Sequence, residues 1–165
     1  MNHVLIQGIK ISYKQQGQGP LCFLIHGFGG SHSDWDQVAP MLEKRYTLII
    51  PNLASPYLSK PGELPLTFSV HFKILSEFLG RLKQLNGADQ AFALGSSYGG
   101  ALLWGSIIQH PELLGAMTLI SPMPPAPFLK FKNKTIRAFV NLSKYPSLFY
   151  AYLKSPLGMM RLPFI

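Results

Sequence analysis

Apolar positions in this chain recur at two periods, and the alternation between them sets out its elements. From residue 3 to residue 15, Val4, Ile6, Ile9, Ile11 and Tyr13 alternate with polar neighbours around Gly8, and Gly17-Gln18-Gly19-Pro20 closes the stretch. A period of two broken by a glycine predicts two short strands joined by a turn. Leu21-Cys22-Phe23-Leu24-Ile25 is uninterrupted, the pattern of a strand buried on both faces. Ser33-Asp34-Trp35-Asp36 predicts a helix start, with Ser33 as cap, Asp36 reaching back to it, and Trp35, Val38, Met41 and Leu42 on the inner face. Tyr46 to Ile50 is the next buried strand, followed by an irregular Pro-, Ser-, Leu- and Gly-containing stretch up to Pro65. Thr67 begins a longer helix in which Phe68, Phe72, Leu75, Leu79 and Leu82 recur at three- and four-residue steps, ending near Asn86-Gly87. His71 on this helix is expected to be a partly exposed neutral side chain and not a catalyst.

A third apolar run, Ala91-Phe92-Ala93-Leu94, breaks into Gly95-Ser96-Ser97-Tyr98-Gly99-Gly100 and is followed by a helical pattern to Gln109. Strand, small-residue turn and helix in that order are the context in which G-x-S-x-G forms a nucleophile elbow with Ser97 at its apex. Gly95 and Gly99 have a mechanical reason, because at so sharp a turn the backbones come too close for side chains at those positions. The following helix is apolar nearly all round, with Ala101, Leu102, Leu103, Trp104, Ile107 and Ile108, which predicts burial. Pro111 bars His110 from helical geometry and ends it. Ala116 to Ile120 is one more strand, closed by Ser121-Pro122.

The strand at 21–25 ends in His26-Gly27-Phe28-Gly29-Gly30. A dinucleotide fingerprint would need Gly where His32 stands, and an acid where the next strand ends in Pro51-Asn52, so that reading fails. No Gly-Lys-Ser/Thr phosphate loop occurs either. His26-Gly27-Phe28 instead has the form of an oxyanion-hole loop, in which the backbone N–H of Phe28 points at a developing negative charge. His26 fits a structural role bracing that loop better than the role of a base.

Composition narrows the class further. With 165 residues, 47% hydrophobic and 13% charged, the chain is long enough to build a sizeable core. The single cysteine, Cys22, sits in an apolar run; it excludes an internal disulfide framework and predicts a cytoplasmic, reducing setting. No apolar window approaches a membrane span. The net charge is +8, yet every acidic residue lies at or before Glu112, while Lys130, Lys132, Lys134, Arg137, Lys144, Lys154 and Arg161 follow without one. Nucleic-acid binding has only this charge in its favour and no reading motif. A membrane-surface role for Leu129–Tyr152 is outweighed because the basic residues do not fall cleanly on one face. No cofactor or metal is called for by any motif.

Strands alternating with helices from 21 to 122, opened by two antiparallel strands, predict an α/β fold: a mostly parallel sheet covered by helices on both faces. With the elbow at Ser97, the His-Gly-Phe-Gly-Gly loop, Trp35 and Pro40 in the first helix and the Pro111 stop, residues 1–122 resemble the serine-nucleophile branch of the α/β-hydrolase superfamily. The resemblance implies that Ser97 is the nucleophile and that the backbone amides of Tyr98 and Phe28 form the oxyanion hole, supported by His26, Gly27, Gly29, Gly95 and Gly99. It implies acyl transfer to water through an acyl-enzyme, on an ester, thioester, amide or carbon–carbon bond of a small apolar substrate. A serine at the elbow argues against the dehalogenases and epoxide hydrolases of the superfamily.

The superfamily places its catalytic acid and then its histidine after later strands. Beyond Ser97 the chain has only His110 and Glu112, on the order of 18 Å away along the elbow helix, so they cannot complete its triad. Residues 123–165, beginning with the stiff Met123-Pro124-Pro125-Ala126-Pro127, match the place where the superfamily inserts a helical lid. The expectation is therefore a hydrolase core over 1–122, an incomplete lid over 123–165, and C-terminal strands missing. A truncated chain, or one that awaits a complementary C-terminal chain, would fit this. So would a non-catalytic remnant that keeps a ligand pocket.

Overall fold

A computed structural model describes residues 1–53 and 68–122, which belong to one compact unit. The expected lid over 123–165 lies outside the described residues. β1 (Asn2–Ile6) and β2 (Ile9–Gln16) form an antiparallel hairpin in which Ile6 faces Ile9. Its two connecting residues, Gln7 and Gly8, both have positive φ, at 47° and 79°. That is the turn whose twist matches the flanking strands. β2 pairs antiparallel with β4 (Thr47–Asn52), and from there the sheet is parallel. β3 (Leu21–Ile25) lies between β4 and β5 (Ala91–Ser96), and β6 (Ala116–Ile120) lies outside β5. The order is β1-β2-β4-β3-β5-β6, the mostly parallel α/β sheet that the strand and helix alternation predicts.

The uninterrupted apolar run of β3 is explained by its two covered faces. Cys22 and Leu24 join Leu48, Ile50, Trp35 and Ala39 in a core cluster on one side. Phe23, of opposite parity, meets the ring of Phe78 edge-on at 6.2 Å on the other, where Tyr13 also reaches Phe78 at 5.9 Å. Phe78 belongs to α2 (Phe68–Leu85), whose three- and four-residue steps put Phe72, Leu75, Leu79 and Leu82 in the core. α3 (Ser97–Gln109) packs beside it, and the buried Ser106 hydroxyl donates to Leu102 O and Phe72 O, tying the two helices together. Burial pushes the Cys22 thiol pKa up to about 11, which fits an inert core thiol.

Three expectations need correction. The segment after the oxyanion loop is not one helix capped by Ser33. Ser31 is the cap of a 3-10 turn over His32–Trp35, with Asp34 returning to the Ser31 N–H, and a separate short α1 (Ala39–Leu42) follows. Pro40 has no N–H to continue a helix from the earlier turn, so the chain stops and restarts there. Met41 is consequently exposed, while Val38 and Leu42 pack on the core. Secondly, α3 is not buried all round: Trp104 and Ile108, one helical turn apart, are exposed, because its contacts are made by the face of Ala101, Leu102 and Ser106. Thirdly, His71 is not partly exposed but buried, since it lies on the Phe68, Phe72, Leu75 stripe of α2. No helix among the described residues is long and apolar enough to cross a membrane.

Candidate active site

Parallel pairing brings the two glycine-rich segments together. β3 and β5 are neighbours in register, Ile25 beside Gly95, so the residues that leave their carboxyl ends emerge side by side. A Cβ placed on Gly27 would lie 3.4 Å from that of Ser97. Ser97 is the first residue of α3 and has φ of 48°, directly after Ser96 in extended geometry. A left-handed conformation at a residue with a side chain costs roughly 1–2 kcal/mol, and such outliers collect at functional sites. The turn survives because its surroundings fix it. A Cβ on Gly95 would fall 2.8 Å from Gly100 Cα, and one on Gly99 would strike the carbonyl oxygens of Ile25 and His26, the former at 2.6 Å. The Ser97 side chain is exposed at this apex.

The loop from Gly27 to Gly30 is closed by the Gly30 N–H donating to Gly27 O at 3.2 Å. His26 braces it from beneath. Its Nδ1–H donates to Gly27 O at 2.7 Å, and its Nε2 accepts the N–H of Leu53, just beyond β4, at 3.0 Å. Both ring nitrogens are thereby committed within the loop and its neighbour. Further along, His32 N–H and Nδ1–H both donate to Asn52 Oδ1, at 2.8 and 2.9 Å, and Asn52 Nδ2 reaches Ser12 Oγ at 3.3 Å. The ring of Phe28 meets that of Tyr98 edge-on at 5.6 Å, placing next to each other the two residues whose amides are the expected oxyanion donors.

Burial lowers the pKa of His26 below the ordinary 6.5, against the opposing pull of its Gly27 bond and of Asp34. The unfolded chain takes up a proton near that ordinary value while the native imidazole resists it. Its contribution to stability is therefore complete above pH 6.5 and is lost as pH falls through the lower native value. We expect the melting temperature to decline below pH 6.5 and expect His26→Gln to flatten that dependence. An unchanged slope in the variant would show that other groups set it.

Four other histidines lie elsewhere. His110 pairs with Glu112 at 3.4 Å beyond the C-terminal end of the 13-residue α3, roughly 20 Å from Ser97 at 1.5 Å per residue. His32 is held by Asn52, and His3 stands on β1, opposite Ser12 of β2. His71 bonds the Tyr98 hydroxyl through Nδ1 at 2.9 Å. The His71–Tyr98 and His32–Asn52 pairs bridge 27 and 20 residues of sequence, a separation that no local pattern marks. Among the described residues no cluster of three His, Cys, Asp or Glu is placed to hold a metal ion.

Comparison with known proteins agrees with this geometry. The family model for the alpha/beta hydrolase fold matches residues 20–158. A 2-hydroxy-6-oxo-6-(2'-aminophenyl)hexa-2,4-dienoic acid hydrolase of Metapseudomonas resinovorans is 28% identical over 116 residues, covering 68% of this chain and 39% of that protein. The bifunctional epoxide hydrolase 2 of Sus scrofa is 30% identical over 129 residues, covering 75% of this chain and 22% of the relative. The solved structure of the epoxide hydrolase CorEH superposes with a TM-score of 0.71 at 21% identity, over 92% of this chain and 54% of the other. The chain thus spans well under half the length of these curated relatives, which are hydrolases. With the family model matched across most of its length and the sheet order and elbow in place, the chain belongs to the α/β-hydrolase fold family.

Proposed function

We propose that this chain carries the nucleophile and oxyanion hole of a serine hydrolase. The substrate is an ester, thioester, amide or carbon–carbon bond of a small apolar molecule. The observation that carries the reading is Ser97 at φ 48° on the strand-to-helix turn, with the Gly27–Phe28 loop packed beside it. In this reaction Ser97 Oγ forms a bond to the substrate carbonyl carbon as its proton passes to a base. The carbonyl oxygen takes up negative charge opposite the amides of Phe28 and Tyr98. Collapse breaks the bond to the leaving group, which receives the proton, and water then releases the acyl group from Ser97. The aromatic rings of Phe28, Phe68 and Tyr98 near the elbow favour an apolar substrate. A lone buried thiol fits a cytoplasmic setting.

His26, His32, His71 and His110 each have a partner other than Ser97, and His3 stands on β1, four strands from β5 across the sheet. The base and its acid are accordingly assigned to residues outside those described, in a longer chain or in a complementary C-terminal one. The same observation favours a second reading, a ligand-binding module that keeps the fold without the reaction. Treatment of the assembly that includes the base with an alkyl fluorophosphonate, followed by peptide mass spectrometry, separates the two. An adduct on Ser97 is the expected result, and modification elsewhere or nowhere would leave the binding module.

A further inference from the structure

We propose that His71 is a positioning residue, holding the Phe28 amide in place through the ring of Tyr98. The inference rests on the oxyanion-hole reading above. Tyr98 is where three segments meet: its ring contacts Phe28 at 5.6 Å, Phe68 at 5.9 Å and His71 at 5.8 Å. Its hydroxyl lies 2.9 Å from His71 Nδ1. His71 is itself fixed, being only 6% exposed on the core stripe of the 18-residue α2. The tyrosine side chain is therefore pinned at its far end by a buried group on a long helix.

The two amides differ in how they are held. That of Tyr98 belongs to the first turn of α3, whose backbone is set by the helix and by the close approach of Gly99 to β3. That of Phe28 sits between Gly27 and Gly29 in a loop with little side-chain mass of its own. His26 braces the loop on its Gly27 side; the edge-on contact with Tyr98 braces it at Phe28. An anchored tyrosine ring gives that contact a fixed surface, whereas a ring free to change rotamer would not. Because an oxyanion donor works only when aimed beforehand, small displacements of Phe28 translate into rate.

The test uses the assembly that includes the base, in four forms besides wild type: His71→Ala, Tyr98→Phe, the double variant and His71→Gln. Tyr98→Phe deletes one hydroxyl and keeps the ring, so it remains informative if His71→Ala fails to fold. Two readouts are taken: the backbone amide resonance and hydrogen exchange of Phe28, and the rate at which the fluorophosphonate modifies Ser97. We expect His71→Ala and Tyr98→Phe each to shift the Phe28 amide, speed its exchange and slow modification about tenfold. The double variant should be no worse than either single one, and His71→Gln, which still offers the hydroxyl a partner, should recover most of the rate. A Phe28 amide unmoved in Tyr98→Phe, or single effects that simply add, would overturn the proposal. Absence of modification in wild type would count against Ser97 as nucleophile. The Phe28 amide would then still decide what His71 does.

Discussion

Replacing Ser97 by alanine is expected to lower ester hydrolysis on the order of a million-fold wherever a base reaches the hydroxyl, and to abolish phosphonate capture. The size of the loss follows from the role proposed for the residue. Removing the attacking oxygen leaves only what the amides and the binding surface contribute, and effects within a catalytic unit do not add. The fold should scarcely respond, because the side chain is exposed and alanine meets the same backbone demand at φ 48°. A p-nitrophenyl ester assay paired with a thermal melt checks both halves. Activity that survives in a folded Ser97→Ala variant would remove the serine-hydrolase reading.

The second large effect concerns stability. Gly99→Ala is expected to destabilise the chain by about 3 kcal/mol or more, beyond the usual range for a surface helix position. The added carbon would meet two backbone carbonyl oxygens of the strand-loop junction, those of Ile25 and His26, and neither is a flexible side chain that can step aside. The clash opens only if α3 lifts from β3, which would separate Ser97 from the Gly27–Phe28 loop. Gly80→Ala is the control, since a Cβ there would meet only Leu113 Cδ2, at an ordinary 3.5 Å. Urea titration of the two variants measures the difference. Equal midpoints would show that the elbow is looser than its contacts indicate.

Much of this architecture was legible in the chain because the constraints were local or strongly patterned. β3 and β5 read as strands from their apolar runs, and the elbow read as a turn because the glycines around Ser97 answer to steric demands that few other residues meet. The places where reading failed have separate physical causes. Ser31 and Ser33 are equally good caps by residue type, and what distinguishes them is the Ser33 N–H donating to Ser31 Oγ together with the return of Asp34 to the Ser31 N–H. The burial of His71 was implied by its position one turn from Phe68 and Leu75, but the polarity of imidazole obscured the stripe it completes. The exposed Trp104 and Ile108 show the converse, since hydropathy records what a side chain prefers and not which neighbours the fold supplies. The positions of Phe28 and Tyr98 relative to one another depend on β3 lying next to β5, a fact of topology that no window of sequence contains.

That same adjacency governs how the protein is made. β3 is bonded on one side to β4, whose Thr47 pairs with Leu21, and on the other to β5, whose Ala91 pairs with the same residue 70 positions later. At about 5–20 residues per second, the ribosome takes roughly 4 to 14 seconds to deliver that second partner. Throughout this interval Leu21-Cys22-Phe23-Leu24-Ile25, fully buried in the finished sheet, has at least one edge unpaired. This central strand is thus made well before its second neighbour can enclose it. An unpaired apolar edge of this kind is a template for pairing with other chains, so soluble yield should respond to translation speed and to holdase chaperones at unchanged final stability.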